Sequence, residues 1–165
     1  MTFWILVITY WLHLLATIVW LGGLALFVLI AWPLWRQGTI VNNQWWAWQQ
    51  RFIPLANGSL VILLLTGFYQ MTQDPNYNGF LAIDSVWATA MLIKHLAFVI
   101  MVGLTAYTQA VVHPALRRLQ LLQQQKPTVA QQQQTALITR EQNLLRFNLS
   151  AAIIVLLCTA VATAV

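Results

Sequence analysis

The sequence predicts an all-α fold, an integral membrane four-helix bundle, and three observations predict it. Of 165 residues, 60% are hydrophobic and only 7% are charged, whereas a soluble domain carries about 25% charged residues. The apolar residues gather into four runs, each near the roughly 20 residues a helix needs to cross a hydrocarbon core about 30 Å thick. Between the runs lie segments rich in Trp, amides, turn formers and basic residues, which suit a membrane interface. By length the chain is one domain, 1–165.

The first predicted helix covers about 3–32. Its opening, MTFWILVITYWLHLL, has neither the basic n-region nor the small-residue cleavage site of a signal peptide, so it is expected to stay as a membrane helix. A loop, PLWRQGTIVNNQWWAWQQR, leads to the second helix, about 52–71. The next loop, TQDPNYNGFLAIDS, holds turn formers and two aspartates. The third helix, about 86–112, carries Lys94 and His95 side by side in an apolar run. A charge at a helix centre disfavours insertion by about 2.5–3.5 kcal/mol, so something should offset it. A Gln-rich stretch, about 117–145, is expected to be a mobile loop or a frayed helix, with Pro127 as a breaker. The fourth helix covers about 147–165.

Arg36 and Arg51 flank the first loop, and Arg117, Arg118, Lys126, Arg140 and Arg146 sit in or beside the third. The second loop and both termini have no basic residue. The positive-inside rule therefore puts the first and third loops in the cytoplasm and both termini outside, in a membrane of the bacterial inner or plasma type. The net charge of +5 reflects these loops. With no basic stripe and no finger or RNA-binding signature, a nucleic-acid partner is excluded. The lipid bilayer is the first partner, and an oligomer is compatible with the pattern. The single Cys158 excludes an internal disulfide.

Two segments repeat a pattern. His13 precedes PLWR at 33–36, and His95 precedes PALR at 114–117. Arg51-Phe52 leads to LLLTG at 63–67, and Arg146-Phe147 leads to LLCTA at 156–160. This predicts a duplicated helical hairpin, two copies in parallel orientation. It would make His13 and His95 equivalent. Each lies about 13–15 Å into its helix, near the bilayer midplane.

The stretches HLLATIVWLGGLALF (13–27), RFIPLANGSLVILLLTGFY (51–69) and LIKHLAFVIMVGLTAYTQAVVHPALRR (92–118) resemble the copper-resistance D (CopD) family of four-helix membrane domains. The most specific part is His13, Trp20, Gly22 and Gly23. The layout also resembles the related haem-containing protoporphyrinogen oxidase family of bacteria and cyanobacteria. There a first-helix histidine and an Ile-Lys pair occur where this chain has His13 and Ile93-Lys94. The resemblance implies a metal centre or copper handling in the membrane.

The candidate residues divide the chemistry. His13 and His95 either ligate a metal, since neutral imidazole is a common ligand, or hydrogen-bond across helices as structural glue. Two imidazoles can hold the iron of a haem b, with Lys94 pairing a propionate and Trp20 packing on the macrocycle. That reading implies electron transfer or porphyrin oxidation, with a quinone or redox protein as partner. Otherwise Lys94 snorkels and Trp20 fills the core. The alternative is copper, with Met91, one turn before His95, and Cys158 adding soft ligands to a Cu(I) site. A third option is a non-catalytic subunit. His113 is expected to be an interfacial histidine, a proton or quinone role being its alternative. Thr66-Gly67 and Gly103 are read as close-packing points. Trp4, Trp32, Trp35, Trp45, Trp46, Trp48 and Trp87 are read as an aromatic belt. Asp74, Asp84 and Glu141 are all placed in loops, which argues against hydrolytic acid–base chemistry in the membrane.

Overall fold

The computed structural model describes residues 2–37, 42–80, 83–122 and 127–165. Among these, all regular structure is helical: α1 (Thr2–Leu26), α2 (Trp32–Arg36), α3 (Asn42–Thr72), α4 (Val86–Tyr107), α5 (His113–Leu122) and α6 (Pro127–Ala164), with π turns at Phe27–Ala31 and Thr108–Val112. Four stretches are long and apolar enough to cross a bilayer: Phe3–Arg36, Ala47–Thr72, Val86–Leu119 and Ala136–Ala164. This is the predicted all-α membrane architecture. Of the basic residues used for orientation, Lys126 lies outside the described residues.

The helices run further than the apolar runs. The Gln-rich stretch read as a loop is helical over 117–122 and 127–145, because Gln, Ala, Leu and Arg are good helix formers whether or not lipid surrounds them. Pro127 opens α6 rather than breaking a helix; at a first position its missing N–H is one the helix leaves unbonded anyway. α4 starts where the Ser85 Oγ accepts the Ala88 N–H at 3.1 Å, a side-chain cap. The preceding segment turns at Gly79, whose φ of 125° suits glycine alone.

Within the spans the hydroxyls bond back along their own helices. Thr9, Thr17, Thr66, Thr105, Thr108 and Thr159 each donate to the carbonyl four residues earlier. A bilayer core offers no water to replace these bonds.

Two of these stretches, Phe3–Arg36 and Val86–Leu119, break in one way. The Trp32 N–H donates to the Phe27 carbonyl, and the His113 N–H to the Thr108 carbonyl, five residues back in each case. A proline comes immediately after, Pro33 or Pro114. Proline has no N–H, and its ring crowds the carbonyl four residues earlier. The widened turn relieves that crowding and inserts one residue, rotating the next helix by about 100°.

The chain divides into two compact units, residues 1–92 with Val165, and residues 93–164, the boundary falling inside α4. In the first, α1 runs against α3. A Cβ on Gly23 would collide with the Phe52 ring, so that ring occupies the groove the glycine leaves. Gly22 would meet nothing within 4 Å. Below this contact Phe27 packs on Phe52 and Trp45, at 5.1 and 5.6 Å between ring centroids, and Trp32 packs on Trp35 and Trp45, at 5.1 and 5.8 Å. The belt expectation is corrected here: Trp32, Trp45 and Trp87 are buried. Trp4 and Trp48 are exposed, as a belt requires, and the Trp46 side chain lies outside the described residues.

In the second unit α5 and the π turn before it pack on α6. Met101, Val112, Leu116, Ala151 and Ala152 are buried there together with the polar Thr108, Glu141 and Asn148. Gly103, expected to be a close-packing point, is exposed and would meet nothing within 4 Å.

Candidate functional site: polar groups inside the spans

His13 is fixed by its neighbour. Its Nδ1 lies 2.8 Å from the Thr66 Oγ1. The one Thr66 hydroxyl hydrogen is committed to the Ile62 carbonyl at 2.6 Å. Thr66 therefore accepts from His13, which puts the proton of a neutral imidazole on Nδ1 and the lone pair on Nε2. A metal-ligating histidine is commonly oriented in this way, through its other nitrogen. Gly67 makes room for the ring: a Cβ there would be 3.3 Å from Cε1. The close-packing expectation for Thr66-Gly67 thus holds, and Thr66 does more than pack. One turn away, the Gln70 Nε2 donates to the Thr9 carbonyl at 3.1 Å, tying α3 to α1 a second time.

Trp20, beside this region on α1, is buried at 4% exposure, and its Nε1 has no hydrogen-bond partner among the described residues. Its burial fits core filling.

Lys94, His95 and Cys158 belong to the second unit. All three are half-buried, and Met91, one turn before His95 on α4, is too. Lys94 has Cys158 of α6 within electrostatic range. Among the described residues, no three His, Cys, Asp or Glu side chains form a group able to hold a metal ion. Methionine is outside that set, and Cu(I) is a soft ion that thioether and thiolate suit. Taken one by one, the imidazoles of His13 and His95, the Met91 thioether and the Cys158 thiol are of types that suit copper.

The residue that sequence reasoning missed is Glu141. It is not in a loop: it lies in α6, 1% exposed. Its Oε1 is 3.3 Å from the Nε2 of His113, the first residue of α5. His113 is accordingly a half-buried partner of a carboxylate. Beside the pair, Arg140 lies over the Tyr107 ring, 5.2 Å from its centroid. Further along α6, the Asn148 Nδ2 donates to the Thr105 hydroxyl at 2.9 Å, and its buried Oδ1 has no partner among the described residues. A usable signal for Glu141 was its solitude, since it is the only acidic residue after Asp84.

Four helices long and apolar enough to cross a bilayer define an integral membrane protein. Residues 46–162, most of the chain, match the family described as Copper resistance protein D, and the chain belongs to this CopD family. No curated protein and no solved structure gives a match.

Proposed function

We propose that this protein handles copper within the membrane as Cu(I) cargo, with His13 and Met91 of the first unit and His95 and Cys158 of the second each a candidate donor. The observation that carries the reading is membership of the Copper resistance protein D family over a region that includes Met91, His95 and Cys158. Donor chemistry supports it, as does the Thr66 bond that leaves the His13 lone pair on Nε2. Lys94 also fits this reading. Beside a copper bound only by neutral ligands its ammonium would be repelled. A Cys158 thiolate bound to copper would make the centre neutral, which removes the repulsion of the Lys94 ammonium.

A haem b on the same histidines, with Lys94 at a propionate and Trp20 against the ring, would draw on the same positions. The family description points instead to copper. The Arg36, Arg51, Arg117, Arg118, Arg140 and Arg146 distribution supports loops one and three in the cytoplasm and both termini outside.

The test is a Cu(I) titration of the purified protein in detergent against a chromophoric chelator. Outer-shell substitutions around a metal cost about 10–100-fold in affinity. Loss of a ligand in His13→Ala or His95→Ala should cost at least as much. Wild-type affinity in both variants would overturn the assignment.

A further inference from the structure

We propose that the second unit carries a binding site for one anionic phospholipid, with the headgroup phosphate on Arg140 and an acyl chain along α6. Charge points to the partner first. Residues 93–164 hold Lys94, Arg117, Arg118, Lys126, Arg140 and Arg146 against the single acid Glu141, whereas in the first unit Arg36 and Arg51 are matched by Asp74 and Asp84. The net charge of +5 therefore belongs to the second unit. Its one carboxylate is buried against His113, while Arg117, Arg118, Arg140 and Arg146 are all exposed. The counter-charge of such a surface at a membrane boundary comes from outside the chain, and anionic lipid headgroups supply it.

Arg140 is the arginine placed to select one lipid. Two contacts fix the level of its backbone. Asn148 of α6 bonds to Thr105 of α4, and Glu141 meets His113, so the helices run antiparallel and Arg140 starts level with His113. Its guanidinium nevertheless lies over the Tyr107 ring, 5.2 Å from the centroid. Tyr107 is about 9 Å nearer the middle of the span, at 1.5 Å per residue. The side chain thus runs toward the hydrocarbon, opposite to the usual snorkelling of a long cation toward water. Stacking on the ring engages the face of the guanidinium, and its N–H edge is the part that grips a phosphate.

The surface beyond it suits a lipid tail. Arg140, Phe147, Ile154 and Val161 follow one another at steps of two turns, so they share one face of α6. Phe147, Ile154 and Val161 are 66%, 44% and 44% exposed. The stripe presents a cation, then an aromatic ring, then two branched aliphatic side chains. A phospholipid presents phosphate and acyl chain in the same order. The apolar part alone takes any lipid; the guanidinium at its head favours one with net negative charge.

The test is native mass spectrometry of the full chain released from detergent micelles, with phosphatidylglycerol or phosphatidylcholine of matched acyl chains added. Wild type should retain one phosphatidylglycerol at concentrations at which phosphatidylcholine is lost. Arg140→Gln should lower phosphatidylglycerol retention about fivefold, the usual worth of one arginine near an anionic surface. Arg140→Lys keeps the charge and loses the planar fork, so it should fall between wild type and Arg140→Gln. Arg118→Gln removes the same charge from α5, off the stripe, and should retain the lipid like wild type. Equal retention of the two lipids by wild type would overturn the proposal. So would the same retention in Arg118→Gln and Arg140→Gln, which would make any attraction a property of the whole basic surface. Displacement of the lipid by inorganic phosphate would also overturn it, since the site would then be one for the free anion.

Discussion

The two compact units share a backbone plan and differ in what they bury. Each contains a π turn, an X-Pro step and a short helix, and each packs this corner against a long helix, α3 in one and α6 in the other. In the first unit the corner is closed by Phe27, Trp32, Trp35, Trp45 and Phe52, all aromatic. In the second it is closed by His113 and Glu141, with Asn148 and Thr105 further along. Lipid tails are as apolar as leucine, so helices in a bilayer associate by close packing and by hydrogen bonds. The aromatic corner uses the first means and the polar corner the second.

The largest expected effect breaks the polar corner. Glu141→Ala removes one partner of a buried pair and leaves His113 without it, at a cost of about 3 kcal/mol. A thermal or denaturant melt in detergent reads this out, with Glu141→Gln expected to retain most of the stability. Next comes the aromatic side of the comparison. Gly23→Ala forces the Phe52 ring out of its groove and should cost about 1–3 kcal/mol, the usual range for overpacking. Gly22→Ala, with nothing within 4 Å of its Cβ, should melt like wild type. Adding Phe52→Leu to Gly23→Ala should restore much of the loss.

A smaller effect is expected at Thr66. Thr66→Val removes the acceptor for the His13 Nδ1–H and frees the ring to turn. Cu(I) affinity should fall about tenfold, while Thr66→Ser keeps it; equal affinity in both variants would argue that Thr66 only packs. The smallest effect is at Asn148. Interhelical hydrogen bonds in membranes average about 0.6 kcal/mol, and the Asn148 Oδ1 already lacks a partner among the described residues. Asn148→Leu should therefore shift the melt little. A large loss there would mean that the polar corner extends along α6 as one network.

The four spans are legible in the sequence, because the hydropathy of a bilayer core is written directly into residue type. Their ends are not. Hydropathy reports where lipid is, while helix propensity carries α3 back to Asn42 and α6 back to Pro127 through amide-rich segments. The repeated His…Pro pattern is visible, and it corresponds to the two π turns. The turns themselves come from hydrogen-bond geometry that no residue spacing displays. His13 is legible as a polar group in an apolar helix. Thr66 stands out only as a small residue, since 53 positions separate it from its partner. Glu141 escapes a reading by hydropathy because it stands in a Gln-rich, hydrophilic stretch. Its burial comes from the packing of α5 on α6, which is a property of the folded chain alone.

If the polar groups of these spans serve copper, the metal should stay with the protein through purification. The most direct measurement is therefore the metal content and visible absorption of the protein purified from copper-supplemented cells. Wild type should retain copper, the His13→Ala and His95→Ala variants should be depleted of it, and no Soret band should be present. A Soret band lost on substituting either histidine, with no copper bound, would contradict this assignment and put a haem in copper's place.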